Sequence, residues 1–261
     1  MKASLFPSLR LLLFGTVVLL GCQVARSAVV IDGFTTYQMV SVSGPPIGFK
    51  SAFQSALITE AIGGERDLYV ERTSANNGTV EMEVAGSGAG IASYNSGVRT
   101  TGNGLIVWDG VDGNQGIAMT GLGGFDLTQS GINTAFRLSR TSDLGGTLKL
   151  TVYQDATHIS EATVVVAADP SFSFVPVDVT FSSFVAVGAN GGANFASVGA
   201  LSLYLNGGTA GADIGVESFL AVPLDFVPVP EASSLLAGTG LLFLVAAGCF
   251  RRGARKTGLA V

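Results

Sequence analysis

The chain has 261 residues and a formal net charge of −5, and that modest figure hides a sharp partition. All 19 acidic residues lie between Asp32 and Glu231, while seven of the 14 Lys and Arg lie outside that stretch, leaving it at about −12. So acidic a body repels phosphate backbones, which argues against nucleic acid as a partner and leaves divalent cations and neutral polymers open.

Met1 to Ala28 reads as a secretory signal. Lys2 and Arg10 supply the positive start, and Leu11 to Leu20 is an apolar core too short to span a bilayer. Cleavage is expected near Ala25-Arg26-Ser27 or after Ala28. The stretch Leu19-Leu20-Gly21-Cys22 also resembles a lipobox, the less favoured reading because Leu20 is atypical there. The two cysteines, Cys22 and Cys249, both lie in the apolar end segments. The body therefore holds neither a disulfide nor a thiolate metal site.

From Val29 to Asp225 the dominant signal is alternation of period two. Val80, Met82 and Val84 alternate with Glu81 and Glu83; Leu148, Leu150 and Val152 with Lys149 and Thr151; Leu201, Leu203 and Leu205 with Ser202 and Tyr204. Each pattern turns apolar side chains to one sheet face and polar ones to the other. Turn signals punctuate them: Asn76-Asn77-Gly78, Asp109-Gly110, Asp112-Gly113, Gly145-Gly146 and Asn206-Gly207-Gly208. With 36 glycines in the chain, short strands and tight turns predict an all-β fold, an antiparallel sandwich. Ser51 to Ile62 is the one segment with some helical pattern, and is expected as a short turn of helix or an edge strand. Glu65-Arg66-Asp67 reads as a local charge cluster at a strand start.

The end of the chain is organised differently. Pro228 and Pro230 hold an extended lead-in, and Ala232 to Phe250 is an apolar stretch of 19 residues. As a helix at ~1.5 Å per residue it measures about 28 Å, close to one hydrocarbon core. Arg251, Arg252, Arg255 and Lys256 follow and are expected to keep that end cytoplasmic.

Three regions of the chain carry family resemblances. Val29 to Gln38 (VVIDGFTTYQ) and Gly63 to Glu71 (GGERDLYVE) resemble the start of the jelly-roll domains of exported bacterial PEP-CTERM proteins. Val177 to Phe184, Phe195 to Gly207 and Ala212 to Val222 resemble the last strands of galactose-binding-like sandwiches, carbohydrate-binding modules among them. Val229-Pro230-Glu231-Ala232-Ser233-Ser234, with its apolar helix and Arg cluster, resembles a PEP-CTERM sorting signal, also known as an ice-binding-protein C-terminal domain. Pro230 and Glu231 match that signature, and Ala232 departs from the usual second proline. The resemblance implies a transient membrane anchor and processing by an exosortase-type enzyme. Release to the cell surface or to an exopolysaccharide matrix would follow. The domain reading is thus a signal peptide at 1–28, a β-sandwich at 29–225 and a sorting signal at 226–256.

Catalysis finds little support in the residues. His158 is the only histidine and falls in a predicted hairpin tip, with no G-x-S-x-G elbow or H-E-x-x-H helix. Asp109, Asp112 and Asn114 put three oxygen side chains on a Gly-rich loop, a pattern that calcium could use; two consecutive Asp-Gly turns account for the same letters and are preferred. Trp108, the only tryptophan, is the candidate sugar platform, although its place after Leu105-Ile106-Val107 favours the core. The leading expectation is a noncatalytic exported surface or matrix protein associated with exopolysaccharide. A carbohydrate-binding module is the alternative, and a secreted hydrolase comes third.

Overall fold

The computed structural model describes residues 28–44, 50–86 and 90–224. The signal peptide, the lipobox-like Cys22, the sorting residues Pro230 and Glu231, the apolar stretch and the basic cluster lie outside the described residues. Among the described residues no helix is long and apolar enough to cross a membrane.

In chain order the strands are β1 (Val29–Asp32), β2 (Gln38–Val42), β3 (Lys50–Leu57), β4 (Glu65–Arg72) and β5 (Val80–Val84). Next come β6 (Ile91–Ser96), β7 (Gly102–Trp108), β8 (Ala135–Ser142), β9 (Gly146–Tyr153) and β10 (Ile159–Val166). The last are β11 (Val175–Thr180), β12 (Val185–Ala186), β13 (Ala200–Asn206) and β14 (Asp213–Val222). They build an antiparallel sandwich. One sheet runs β11-β8-β14-β6-β5-β2, with β1 paired to the second half of β14, and the other runs β12-β10-β9-β13-β7-β4-β3.

Alternation in the sequence becomes the inner face. Leu201, Leu203 and Leu205 of β13 sit opposite Val152, Leu150 and Leu148 of β9, and all six are buried. Removing one such side chain from water contributes about 1.5–3 kcal/mol. The last strand changes phase along its length. Ile214 and Val216 face inward, a bulge at Ser218 (φ +40°) inserts one residue, and Phe219 and Ala221 then face inward as well. Such an insertion preserves burial where strict period two would have turned Phe219 to solvent.

Two open sequence alternatives are resolved here. Ser51 to Ile62 divides into the edge strand β3 and a 3-10 turn at Ile62–Gly64, because β3 finds a full-length partner in β4. Trp108 is no sugar platform: it is fully buried, its ring lies 5.4 Å from Phe219 and 6.4 Å from Phe34, and its indole N–H donates to Asp32 Oδ2 at 2.9 Å.

The Glu65-Arg66-Asp67 cluster is split between the two faces of its sheet. Arg66 points inward and is fully buried against Asp32, with Nη1 at 3.0 Å from Oδ2 and 3.1 Å from Oδ1. Its Nε donates to Gln38 Oε1 at 2.8 Å and its Nη2 to the Thr36 carbonyl at 2.7 Å. Gln38 returns its amide to the Gln54 and Arg66 carbonyls. Asp32 and Gln38 belong to one sheet and Arg66 and Trp108 to the other, so this network pins the two layers together through fully paired charge.

Candidate functional site

The outer face of the second sheet gathers the side chains that could meet a ligand. Strand β4 carries the sequence Glu65-Arg66-Asp67-Leu68-Tyr69-Val70-Glu71. With Arg66, Leu68 and Val70 buried inside, Glu65, Asp67, Tyr69 and Glu71 take the outer face. Antiparallel register then extends Tyr69 into a row. Phe53 of β3 lies opposite Tyr69, Tyr69 opposite Leu105 of β7, Leu105 opposite Tyr204 of β13, and Tyr204 opposite Lys149 of β9. Thr163 of β10 completes it. From Phe53 to Tyr204 is three strand steps, about 14 Å at ~4.8 Å per step.

These ring side chains are half-buried, so each keeps part of its surface open to solvent. Polar groups flank them. Lys149 Nζ lies 3.0 Å from Glu161 Oε1 and 5.9 Å from the centre of the Tyr204 ring, and the Thr151 hydroxyl donates to Glu161 at 3.3 Å. Burial, and after it the charge of Glu71, push the Tyr204 phenol above its ordinary value, so the hydroxyl stays protonated and able to donate. Apolar ring surface with a few fixed polar groups beside it is the chemistry of a site for a neutral, hydroxyl-rich ligand.

One end of this face is strongly acidic. The carboxylate oxygens of Glu65, Asp67 and Asp112 lie within 4.8 Å of one another. Glu65 Oε1 accepts the Gly113 N–H at 2.8 Å and also the Ser55 hydroxyl. Asp67 is 3 % exposed and its Oδ1 has no hydrogen-bond donor. Burial pushes the Asp67 carboxyl up to about 7; the Ser55 hydroxyl opposes the shift, and the charges of Asp109, Glu65 and Asp112 add to it. Burial likewise pushes Asp109 up to about 6, against the Ala118 N–H that donates to it at 2.6 Å.

Glycine sets the loop that brings Asp112 there. Gly110 has φ +91°, and a Cβ on it would stand 2.6 Å from the Gly121 carbonyl oxygen. This close approach folds the chain after β7 back on itself, carrying Asp112 to β4.

Of the expected metal set, Asp109 Oδ2 accepts the Ala118 N–H at 2.6 Å, while Asp112 and Asn114 are bonded to each other. Asp112 Oδ1 accepts the Asn114 N–H at 2.8 Å, and the Asn114 amide donates to the Asp112 carbonyl at 3.0 Å, as in a turn. The residues that Asp112 joins are Glu65 and Asp67, whose letters read locally as a charge cluster. Alternation along Gly64 to Glu71 was the available signal, because it places both acids on the face opposite Arg66. His158 sits in the β9–β10 hairpin, as expected, with Nδ1 at 2.9 Å from Asp155 Oδ2. On the opposite sheet, Glu83, Ser93, Asn95, Thr141, Asp213 and Phe174 are among the residues lining an open pocket of about 290 Å³.

No family model matches the chain, and no curated protein matches it. Among solved structures it is similar to a family 11 carbohydrate-binding module of a cellulosomal cellulase of Clostridium thermocellum. That match has 12 % identity and a TM-score of 0.39, and covers 76 % of this chain and 96 % of that one. The Clostridium thermocellum family 11 module in complex with a β-1,3-1,4-mixed-linked tetrasaccharide is similar at 10 % identity and a TM-score of 0.37, covering 76 % and 98 %. A family 29 carbohydrate-binding module follows at 13 % identity and 0.32, covering 74 % and 93 %. Likeness at this level leaves the functional reading to the face itself.

Proposed function

We propose that this protein is a noncatalytic, exported carbohydrate-binding sandwich whose ligand lies across the outer face of the second sheet. The observation that carries the reading is the row Phe53–Tyr69–Leu105–Tyr204, which register alone assembles from four strands. Sugar rings present apolar C–H faces and a rim of hydroxyls. Half-buried Phe and Tyr match the faces, and Lys149 and Glu161 match the rim. A hydrolase reading has less support, because Glu65 and Asp67 stand side by side on one strand and not across a cleft that could hold a glycosidic bond.

In the same proposal, the C-terminal segment is a sorting signal. Pro230 and Glu231 would be read by an exosortase-type enzyme, and Arg251, Arg252, Arg255 and Lys256 would hold the end inside until processing. The bound glycan is then an exopolysaccharide of the surface or matrix where the protein is released. Fractionation with intact-mass analysis tests the address, the expected result being a surface or matrix species that lacks the apolar stretch.

A glycan array with the full chain, purified in a non-denaturing detergent, tests the binding reading. Binding to a β-glucan or another neutral polysaccharide is expected, lost in Tyr69→Ala and retained in Phe174→Ala. Loss in Phe174→Ala alone would move the site to the pocket on the other sheet. An array with no signal would end the carbohydrate reading.

A further inference from the structure

We propose that Glu65, Asp67 and Asp112 form a binding site for a hard divalent cation, calcium in preference to magnesium, that fastens the loop after β7 to strand β4. The site goes beyond the glycan reading and needs nothing from it. Three carboxylates drawn from two segments come within 4.8 Å of one another. Oxygens that share one calcium ion at ~2.4 Å stand at most about 4.8 Å apart, so the spacing suits this ion without rearranging the backbone. Magnesium dehydrates reluctantly and keeps several of its waters, so a cluster of three protein carboxylates suits it less well.

The independent observation is the state of Asp67. It is 3 % exposed, yet its Oδ1 meets no donor. A buried carboxylate oxygen without a partner bears its full desolvation cost, and a cation supplies what the polypeptide withholds. Glu65 differs, since the Gly113 N–H and the Ser55 hydroxyl both donate to one of its oxygens and orient the group. Asp112 is only half-buried, which leaves the cluster a side toward solvent by which an ion could enter. Oxygen donors alone suit calcium and not zinc, which favours nitrogen and sulfur; the only histidine, His158, lies in the β9–β10 hairpin.

Gly113, which donates to Glu65, follows Asp112 directly, so occupation of the site would hold both ends of one contact between loop and strand. Asp67 and Tyr69 share the outer face of β4 two residues apart, about 6.6 Å along the strand. The ion would thus lie at the margin of the aromatic row without being part of it.

The full chain, stripped with EDTA in a non-denaturing detergent, is titrated with calcium chloride while thermal unfolding is followed. A rise in Tm of about 5 °C or more is expected at 1 mM, because a ligand that binds only the folded state must stabilise it. An equal concentration of magnesium should give a much smaller rise. Terbium, used as a calcium probe, should show luminescence sensitised by nearby Trp108 and Tyr69 that calcium displaces. Asp67→Asn and Asp112→Asn should each weaken calcium binding at least tenfold, while Asp169→Asn, between β10 and β11, should not. Asp112→Asn alters a half-buried loop position and keeps the test open if Asp67→Asn fails to fold. No Tm shift with calcium, an equal shift with magnesium, or unchanged binding in Asp112→Asn would each overturn the proposal. A blank glycan array beside a clear calcium shift would remove the carbohydrate reading and leave the cation site standing.

Discussion

Arg66 and Asp32 form a fully buried ion pair, 3.0 Å from Nη1 to Oδ2, that joins β4 of one sheet to β1 of the other. Asp32 also accepts the Trp108 indole N–H and the Phe34 backbone N–H, both at or below 2.9 Å. A buried pair of this kind is costly to break, because the surviving partner keeps its charge and loses its compensation. Arg66→Ala is expected to destabilise the sandwich by about 3–5 kcal/mol, and Asp32→Ala by at least as much, since it strands three donors. Replacing both residues by apolar side chains should cost clearly less than the two single changes combined. Urea denaturation of the four proteins measures this coupling.

The acidic end of the outer face predicts an unusual pH response. With the folded Asp67 carboxyl at about 7 and Asp109 at about 6, both stay protonated well above the ordinary 3.8 of an unfolded aspartate. The folded state therefore binds more protons than the unfolded chain between about pH 4 and 7, and stability falls as pH rises through that window. In EDTA, Tm should decline from pH 4.5 to 7.5, and Asp67→Asn should flatten much of the decline. Asp155 runs the other way: hydrogen bonds from Thr157 and His158 hold its carboxyl well below the usual range, so its contribution is lost only in stronger acid.

On the aromatic row, removal of either tyrosine ring should weaken glycan binding without unfolding the protein. Tyr69→Ala and Tyr204→Ala are each expected to cost about 2 kcal/mol in binding, roughly thirtyfold in Kd, as aromatic anchors commonly do. Thr163→Ala, at the end of the row, should change Kd less than threefold. Isothermal titration with the best array ligand separates these cases.

Gly110 offers a test of the loop. Its φ of +91° and the 2.6 Å approach of a Cβ to the Gly121 carbonyl leave no room for a side chain. Gly110→Ala should cost about 1–3 kcal/mol and lower calcium affinity together with stability, because the displaced loop carries Asp112. Thermal scans with and without calcium measure both effects.

Much of the sandwich could be read from alternation. The segments Val80–Val84, Leu148–Val152 and Leu201–Leu205 are strands β5, β9 and β13, with the predicted faces inward. Local pattern sufficed there because burial of one face is a property of each strand by itself. Alternation reached its limit at Arg66. A charged residue in a strand reads as solvent-facing, and only a partner 34 residues away, Asp32, makes its burial affordable. The core placement of Trp108 was legible from Leu105-Ile106-Val107 before it, but the partner of its indole N–H, the same distant Asp32, was not.

The candidate site was the least legible part. Phe53, Tyr69, Leu105 and Tyr204 are scattered through the sequence, and nothing local to any one of them marks a platform. Register across four strands makes them neighbours, and register is a long-range property set by which strands pair. Asp112 was recognised as a potential oxygen ligand within its own loop, whereas its partners Glu65 and Asp67 come from a strand that precedes β7. By itself the sequence determined the acidic character of the body, its cysteine-free packing, its strand-forming segments and the turns between them, all consequences of nearest-neighbour chemistry. Tertiary structure decided which charges are buried and paired, which rings share a face and which carboxylates meet, because those depend on contacts between segments far apart in the chain.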